Sequence, residues 1–491
     1  MTGFLSSGCR GDRDAIAQAL PARIAAERRS QELQEALRKL YNPPSPLWTG
    51  SRGARDQAGR AVALLAGAEP LGLRPEDYGA TGLLQRLQAL GRGATPEAQA
   101  AFEVDLSAEM LRFLRAVHRG RVNPQRVGFE YHKDVDAEDL AAPLRRAVET
   151  SQLEALPAQL EPRYAPYRRV KAALAEYRER ARAGRGSPAQ VRKLELALER
   201  LRWLPHQTEG RFVVVNVPAF RLLAYGSSAD ERPQLQMAVV VGKASENETP
   251  LFSEEMRTVV FRPPWFPPPS IVQNEIVPAM ESDPRYLDRQ RMQLVALDSG
   301  DDSPSLPATS ENLALLEAGQ LSLRQEPGPQ SALGLVKFDF PNRHNVYLHD
   351  TPSQSLFNRA RRDFSHGCIR VEDPLALAEW VLAGQGDWTR AKIETAMHAA
   401  DTKRVEVAHP LPVMIFYSTA LPGADGQVQF FDDIYGLDAD LEAALAHSGR
   451  GGWDSRKASA SSAPSTTATM SAQGAPADKW ARSAPTGVSR P

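Results

Sequence analysis

From Asp14 to about Leu204 the apolar residues recur at three- and four-residue intervals, and from Gly210 onward at two-residue intervals. That change of period separates a helical half from a strand-rich half. In the first half Leu33, Leu37 and Leu40 share one helical face, and Asn42-Pro43-Pro44-Ser45-Pro46 ends that helix before Leu47-Trp48. Further helices are predicted over 60–71, 80–91, 96–119, 136–153, 164–182 and 188–203. Breakers such as Gly91-Arg92-Gly93 and Gly184-Arg185-Gly186 separate them. Short helices with one apolar stripe must bury it on each other, which predicts an α-helical scaffold.

Strands are predicted over 212–217, 221–225, 236–241, 257–262, 335–340, 345–348, 411–418 and 427–431. Between them, about 263–324 has no sustained period and carries helical stretches at 270–280 and 312–318, the size and place of a cap inserted over a site. Asp373-Pro374 supplies an N-cap and a first-turn proline for a helix over 375–382, which Gly384 stops. The last stretch, 448–491, is dominated by Ser, Ala, Pro, Gly and Thr, a composition that cannot bury a core and predicts disorder. The fold class is therefore α+β: an N-terminal segment 1–40, an all-α scaffold 41–205, a mostly β domain 206–447 with its inserted helical cap, and a disordered tail.

A chain of 491 residues exceeds what one core accommodates, in line with two or three domains. With 42% hydrophobic and 24% charged residues it has the composition of an ordinary soluble protein. A net charge of -1 argues against nucleic acid as partner. No stretch approaches the roughly 20 apolar residues of a transmembrane span. Met1 to Cys9 lacks the basic head and apolar core of a secretory signal. Gly8-Cys9, preceded by small residues and Leu5, weakly resembles a lipoprotein cleavage site, with the leucine one position too far upstream. A lipid anchor at Cys9, a start placed downstream of a longer export signal, and a cysteine in an unstructured tail are the readings of this segment.

Of the 2 cysteines, Cys368 is the one set for chemistry, in Ser365-His366-Gly367-Cys368-Ile369-Arg370. Upstream lies Tyr347-Leu348-His349-Asp350-Thr351-Pro352. A thiol beside a tight glycine turn, with a histidine at fixed distance, is what thiol-based acyl transfer requires: the imidazole takes the thiol proton and the thiolate attacks a carbonyl. His349, Asp350, His366 and Cys368 are also zinc-ligand types. Yet His366-Gly367-Cys368 makes a poor two-ligand clamp, and neither Cys-x-x-Cys nor His-Glu-x-x-His occurs. No metal or cofactor is predicted. Phosphate-cradling loops and paired acid/base carboxylates do not stand out either, which removes support for kinases, ATPases and glycosidases.

His349, fifteen intervening residues, then Ser365-His366-Gly367-Cys368-Ile369-Arg370 resemble the signature of the L,D-transpeptidases, the YkuD family of peptidoglycan cross-linking enzymes. The resemblance extends over about 40–447, through Phe212-Val213-Val214-Val215-Asn216-Val217-Pro218, Gly242-Lys243, Thr249-Pro250, Pro263-Pro264-Trp265-Phe266-Pro267, Arg324-Gln325-Glu326-Pro327-Gly328-Pro329 and Gly334-Leu335-Val336-Lys337-Phe338. It is nearest to the large periplasmic branch, with a helical scaffold and a capped β-sandwich catalytic domain. Larger members often carry a peptidoglycan-binding module between the two; the helices around Gly184 leave no room for one here, so wall docking falls to the scaffold, the cleft or a partner protein.

The resemblance implies Cys368 as nucleophile and His349 as general base and acid, oriented by the backbone carbonyl of Asp350. It implies that the amides of Gly367 and Cys368 face an oxyanion. Ser365, His366, Arg370 and Tyr347 become supporting or substrate-flanking residues, with His366 and Arg370 keeping the local field positive in favour of thiolate. His344 is read as solvent-facing, and Trp265 as packing. The implied activity is a cross-link between third residues of peptidoglycan stem peptides through a cysteine acyl-enzyme, in the periplasm. The alternatives are an L,D-carboxypeptidase or amidase on the same substrates, or a non-catalytic wall scaffold.

Overall fold

The computed structural model describes residues 6–90, 94–131, 140–205, 210–423 and 425–448; the side chain of Cys9, the breaker 91–93 and the tail 449–491 lie outside them. Seven helices of the N-terminal half pack on each other: α1 (Ser6–Ala25), α2 (Gln31–Leu40), α3 (Arg52–Ala66), α4 (Ala80–Ala89), α5 (Pro96–Arg119), α6 (Ala141–Glu149) and α7 (Leu156–Leu160). The centre is α5, which buries Phe102, Leu106, Met110, Phe113, Leu114 and Val117. Its limits follow from local chemistry: Thr95 caps the amide of Ala98, Pro96 occupies the first turn, and Gly120 ends it. α3 begins at Arg52 rather than Arg60, because the Ser51 hydroxyl accepts from Ala54 and starts the helix through a glycine-containing stretch with little apolar signal.

The loop after α2 is held from within. Glu103 of α5 is fully buried, and its carboxylate accepts from the amides of Leu47 (2.9 Å), Trp48 (2.8 Å) and Thr49 (2.7 Å) and from the hydroxyls of Thr49 (2.8 Å) and Tyr41 (2.8 Å). A carboxylate so buried is tolerated only because donors replace its water.

Two more helices, α8 (Ala165–Arg182) and α9 (Pro188–Leu201), contribute Tyr167, Val170, Leu174, Leu194, Leu198 and Leu201 to the core of the β domain. That domain's strands are β1 (Phe129–Glu130), β2 (Phe212–Asn216), β3 (Arg221–Tyr225), β4 (Leu235–Gly242), β5 (Leu251–Phe261), β6 (Met292–Ala296), β7 (Leu321–Gln325), β8 (Val336–Asp339), β9 (Leu348–His349), β10 (Asp363–Ser365), β11 (Ile369–Val371), β12 (Lys403–Phe416), β13 (Ala420–Pro422) and β14 (Val428–Phe430). The main sheet runs β1-β5-β12-β2-β3-β4-β11-β9-β8, and β8 pairs back on β5, so the path closes on itself. The closed sheet encloses Val213, Val215, Leu222, Val239, Val259, Phe338, Leu348, Ile369 and Ile415. The chain is thus α+β, helices first and a mostly stranded domain after them.

The insertion between β5 and β8 has its own small core of Val272, Ile276, Leu287, Leu294, Leu316 and Leu323. Besides the predicted helical stretches it contains the antiparallel pair β6–β7, whose period-two residues lie inside a segment otherwise too irregular to reveal it. His344 does not face solvent freely: its Nε2 lies 2.9 Å from Glu130, and its ring packs beside Phe252.

Replacing Glu103 by Ala strands several buried donors at once, each costing about 1–3 kcal/mol. The expected outcome is a loss of at least about 3 kcal/mol in urea unfolding, with the N-terminal helices affected first in hydrogen exchange.

Candidate active site

Two segments distant in sequence meet through β9 and β11. These strands pair in parallel, Leu348 opposite Ile369 and His349 opposite Arg370, while β8 places Lys337 opposite His349 on the other side. Residues opposite each other on neighbouring strands share a face. Arg370, His349 and Lys337 therefore stand side by side across three strands. Cys368 sits one residue before β11, at the end of the turn that leaves β10.

The turn is tightly specified. Gly367 has φ +111°, a conformation that favours glycine. The Ser365 hydroxyl donates to the carbonyl of Cys368 (2.5 Å) and accepts from the amide of Gly367 (3.2 Å). The Thr249 hydroxyl donates to the carbonyl of Gly367 (2.8 Å), and the amide of Lys243 to that of Ser365 (2.9 Å). The Gly367 amide is thus committed to Ser365 instead of facing outward to receive an oxyanion.

His349 is buried, and its Nδ1 lies 2.5 Å from the carbonyl oxygen of Asp350. With Nδ1 as donor, the neutral ring carries its lone pair on Nε2. The Asp350 carboxylate is turned elsewhere, accepting from the amides of Leu335 (2.8 Å) and Thr351 (2.7 Å). Gly334 makes room for it: a Cβ there would lie 2.3 Å from Asp350 Oδ2, and φ is +60°. Burial pushes the His349 imidazole down to about 3, reinforced by the charges of Arg370 and Lys337 and opposed by the Asp350 carbonyl.

Cys368 is half-buried, its sulfur 3.6 Å from the carbonyl oxygen of Asn345. Tyr347 also reaches it through backbone and hydroxyl, and the ring of Tyr347 stands edge-on to His349 at 5.7 Å. Trp265 from the insertion lies beside the Tyr347 hydroxyl, which makes Trp265 a neighbour of the site. Lys337 Nζ lies 4.2 Å from the Tyr347 ring centroid. Burial pushes the Cys368 thiol up, while Tyr347, Lys337 and Arg370 pull it down. Burial outweighs them, so the positive field does not make a resting thiolate; thiol and imidazole are both neutral at rest.

His366 lies apart from this group. Its Nε2 is 2.5 Å from Glu275 Oε1 in the π-helical stretch Val272–Ile276, joining the motif turn to the insertion. Arg370 is half-buried, and its Nε is without a hydrogen-bond partner among the described residues. Lys337, Thr249 and Trp265 lie within the matching segments, where nothing in the sequence marks them as neighbours of the site, and Glu275 and Asn345 carry no signal of it either. Among the described residues no cluster of three or more His, Cys, Asp or Glu is arranged to hold a metal, and no helix is long and apolar enough to cross a membrane.

An imidazole kept neutral by burial makes stability pH-dependent with a definite sign. The unfolded ring takes a proton near pH 6.5 and the folded ring only near 3, so this stability is present above 6.5 and is lost as pH falls toward 3. The contribution is roughly 3–5 kcal/mol. Urea unfolding from pH 7 to 3.5 should show the loss in the wild type and a flatter dependence in His349→Asn; parallel curves would refute the assignment.

Comparison with known proteins places these observations. Residues 35–174 match the Scaffold domain family, and residues 210–407 match the L,D-transpeptidase catalytic domain family. A protein of Haemophilus influenzae named "Putative L,D-transpeptidase" is 32% identical over 254 residues, which are 52% of this chain and 50% of that protein. The matched part thus spans half of that relative's length. The chain therefore carries the catalytic domain of the L,D-transpeptidase family, preceded by a Scaffold domain.

Proposed function

We propose that this protein is a cysteine-dependent L,D-transpeptidase acting on peptidoglycan stem peptides in the periplasm. The observation that carries the reading is the pairing of β9 with β11, which sets a neutral His349 on the strand beside the turn of Cys368. In the reaction, His349 Nε2 accepts the thiol proton as the sulfur attacks the carbonyl of the third residue of a donor tetrapeptide. Because thiol and imidazole are both neutral at rest, proton transfer and attack proceed together. The donors from Tyr347 and the charges of Lys337 and Arg370 stabilise the sulfur as it becomes anionic.

Collapse of the tetrahedral intermediate breaks the C–N bond. The proton on His349 goes to the departing amine, terminal D-alanine leaves, and a Cys368 thioester remains. The side-chain amine of an acceptor's third residue then attacks the thioester, His349 takes its proton, and the thiol is regenerated. The donor's peptide bond supplies the free energy, so no ATP is needed. With Gly367 donating to Ser365, the amide of Cys368 and the hydroxyl of Tyr347 are the groups proposed to receive the oxyanion, and Ser365, His366 and Arg370 act in support.

Purified protein incubated with disaccharide-tetrapeptide should yield, by mass spectrometry, a dimer joined through third residues. Cys368→Ala should give none, and His349→Asn should be slower by about 10²–10⁴-fold. Trimmed tripeptide alone would establish carboxypeptidase activity in its place, and an unchanged substrate would refute the proposal.

A further inference from the structure

We infer that Tyr435, which lies beyond the matched catalytic segment 210–407, is a positioning residue for the Cys368 turn and is itself held in place by Arg200 of α9. The inference rests on the role proposed above for Cys368. The Tyr435 hydroxyl donates to the carbonyl of Gly242 (2.7 Å) and accepts from the amide of Thr249 (3.1 Å). It thereby clasps both ends of the loop joining β4 to β5. Within that clasp the Thr249 hydroxyl accepts from the amide of Gly242 (2.8 Å), which leaves its proton for the carbonyl of Gly367 (2.8 Å). One hydroxyl from the C-terminal segment thus orients a second hydroxyl that pins the peptide immediately before the nucleophile.

The segment bearing Tyr435 is fastened from the other side. The amide of Tyr435 donates to the hydroxyl of Tyr417 (3.0 Å), which donates to Asp433 (2.5 Å). Asp433 also receives the amide of Asp438 (2.9 Å). Arg200, wholly buried in α9, donates to the carbonyl of Leu437 (2.8 Å) and pairs with Asp438, its guanidinium 5.2 Å from the Tyr417 ring centroid. A buried guanidinium held by a carboxylate, a carbonyl and an aromatic face has one geometry available. The polar path therefore runs from α9 through 433–438 to Tyr435, Thr249 and Gly367. A misplacement of the nucleophile by about 1 Å costs acyl transfer about 10²-fold, so a turn pinned this way matters for rate more than for substrate affinity.

The test uses the full chain with Tyr435→Phe, Thr249→Val and Thr249→Ser. Hydrogen exchange followed by mass spectrometry, with no substrate present, should show faster exchange over 365–369 in Tyr435→Phe and Thr249→Val and wild-type exchange in Thr249→Ser. On tetrapeptide, Tyr435→Phe should lower kcat about tenfold with KM unchanged, while alkylation of Cys368 by iodoacetamide, which needs no aligned turn, stays within about twofold of wild type. The double variant Tyr435→Phe/Thr249→Val should be no slower than the slower single one, since both cut one path. Wild-type exchange over 365–369 in Tyr435→Phe would overturn the inference, and so would faster exchange spread evenly over the β domain. A wild-type protein inert on tetrapeptide would refute the proposed function, while the exchange result would still decide the role of Tyr435.

Discussion

The parallel pairing of Leu348–His349 with Ile369–Arg370 governs everything else at this site. Each segment alone is too short to fold: β9 has two residues and β11 three. They persist because the closed sheet flanks them with β4 and β8 and because Leu348 and Ile369 are fully buried beneath. Register follows from that burial. A slip of one residue would turn Leu348 and Ile369 out of the apolar core and point His349 and Arg370 into it, at a cost set by a guanidinium with no partner there. The hydrophobic pattern thus determines which face carries the imidazole.

Burial then determines its chemistry. Two cations flank His349 and would, in water, leave its titration nearly unaltered; in a desolvated site they reinforce burial in keeping the ring neutral. The same two cations act on Cys368 in the opposite sense to burial, and there burial prevails. The result is a base and a nucleophile both uncharged, with donors from Tyr347 already placed for the charge that develops on sulfur. Charges that appear only during a reaction are served best by groups that need no rearrangement to meet them.

Much of this was legible in the chain. The change of period at Gly210 marked the passage from helices to strands, and α5 was bounded by residues that announce themselves: Thr95, Pro96 and Gly120. Asp373-Pro374 likewise started the helix Pro374–Leu382, with the Asp373 side chain accepting from Ala376. Spacing singled out His349 and Cys368. What sequence could not reveal were contacts made by fold alone. Asn345 breaks the strand predicted over 345–348, its φ of +53° turning its carbonyl toward the thiol. The Gly367 amide finds Ser365 only once the turn has closed. The short strands β10 and β11 have too few residues for any period, and the helices Arg390–Met397 and Leu437–Ser448 have weak apolar stripes.

His366 shows how a motif residue and an irregular insertion explain each other. Within Ser365-His366-Gly367-Cys368 it is the exposed position, with a side chain 41% accessible, and so it is available to an element from outside the sheet. The insertion presents Glu275 from a π-helical stretch, where the wider i→i+5 turn rotates a side chain away from the regular helical face while Val272 and Ile276 keep their places in the small core. The pair is half open to water on both sides, so it contributes under about 1 kcal/mol and holds the insertion against the turn without locking it there. Trp265 adds a second contact beside the Tyr347 hydroxyl, next to the sulfur itself. The insertion therefore meets the site on both sides of Cys368, at the exposed His366 and at the half-buried Tyr347. The turn of the nucleophile is thus bounded by this irregular segment as well as by the sheet.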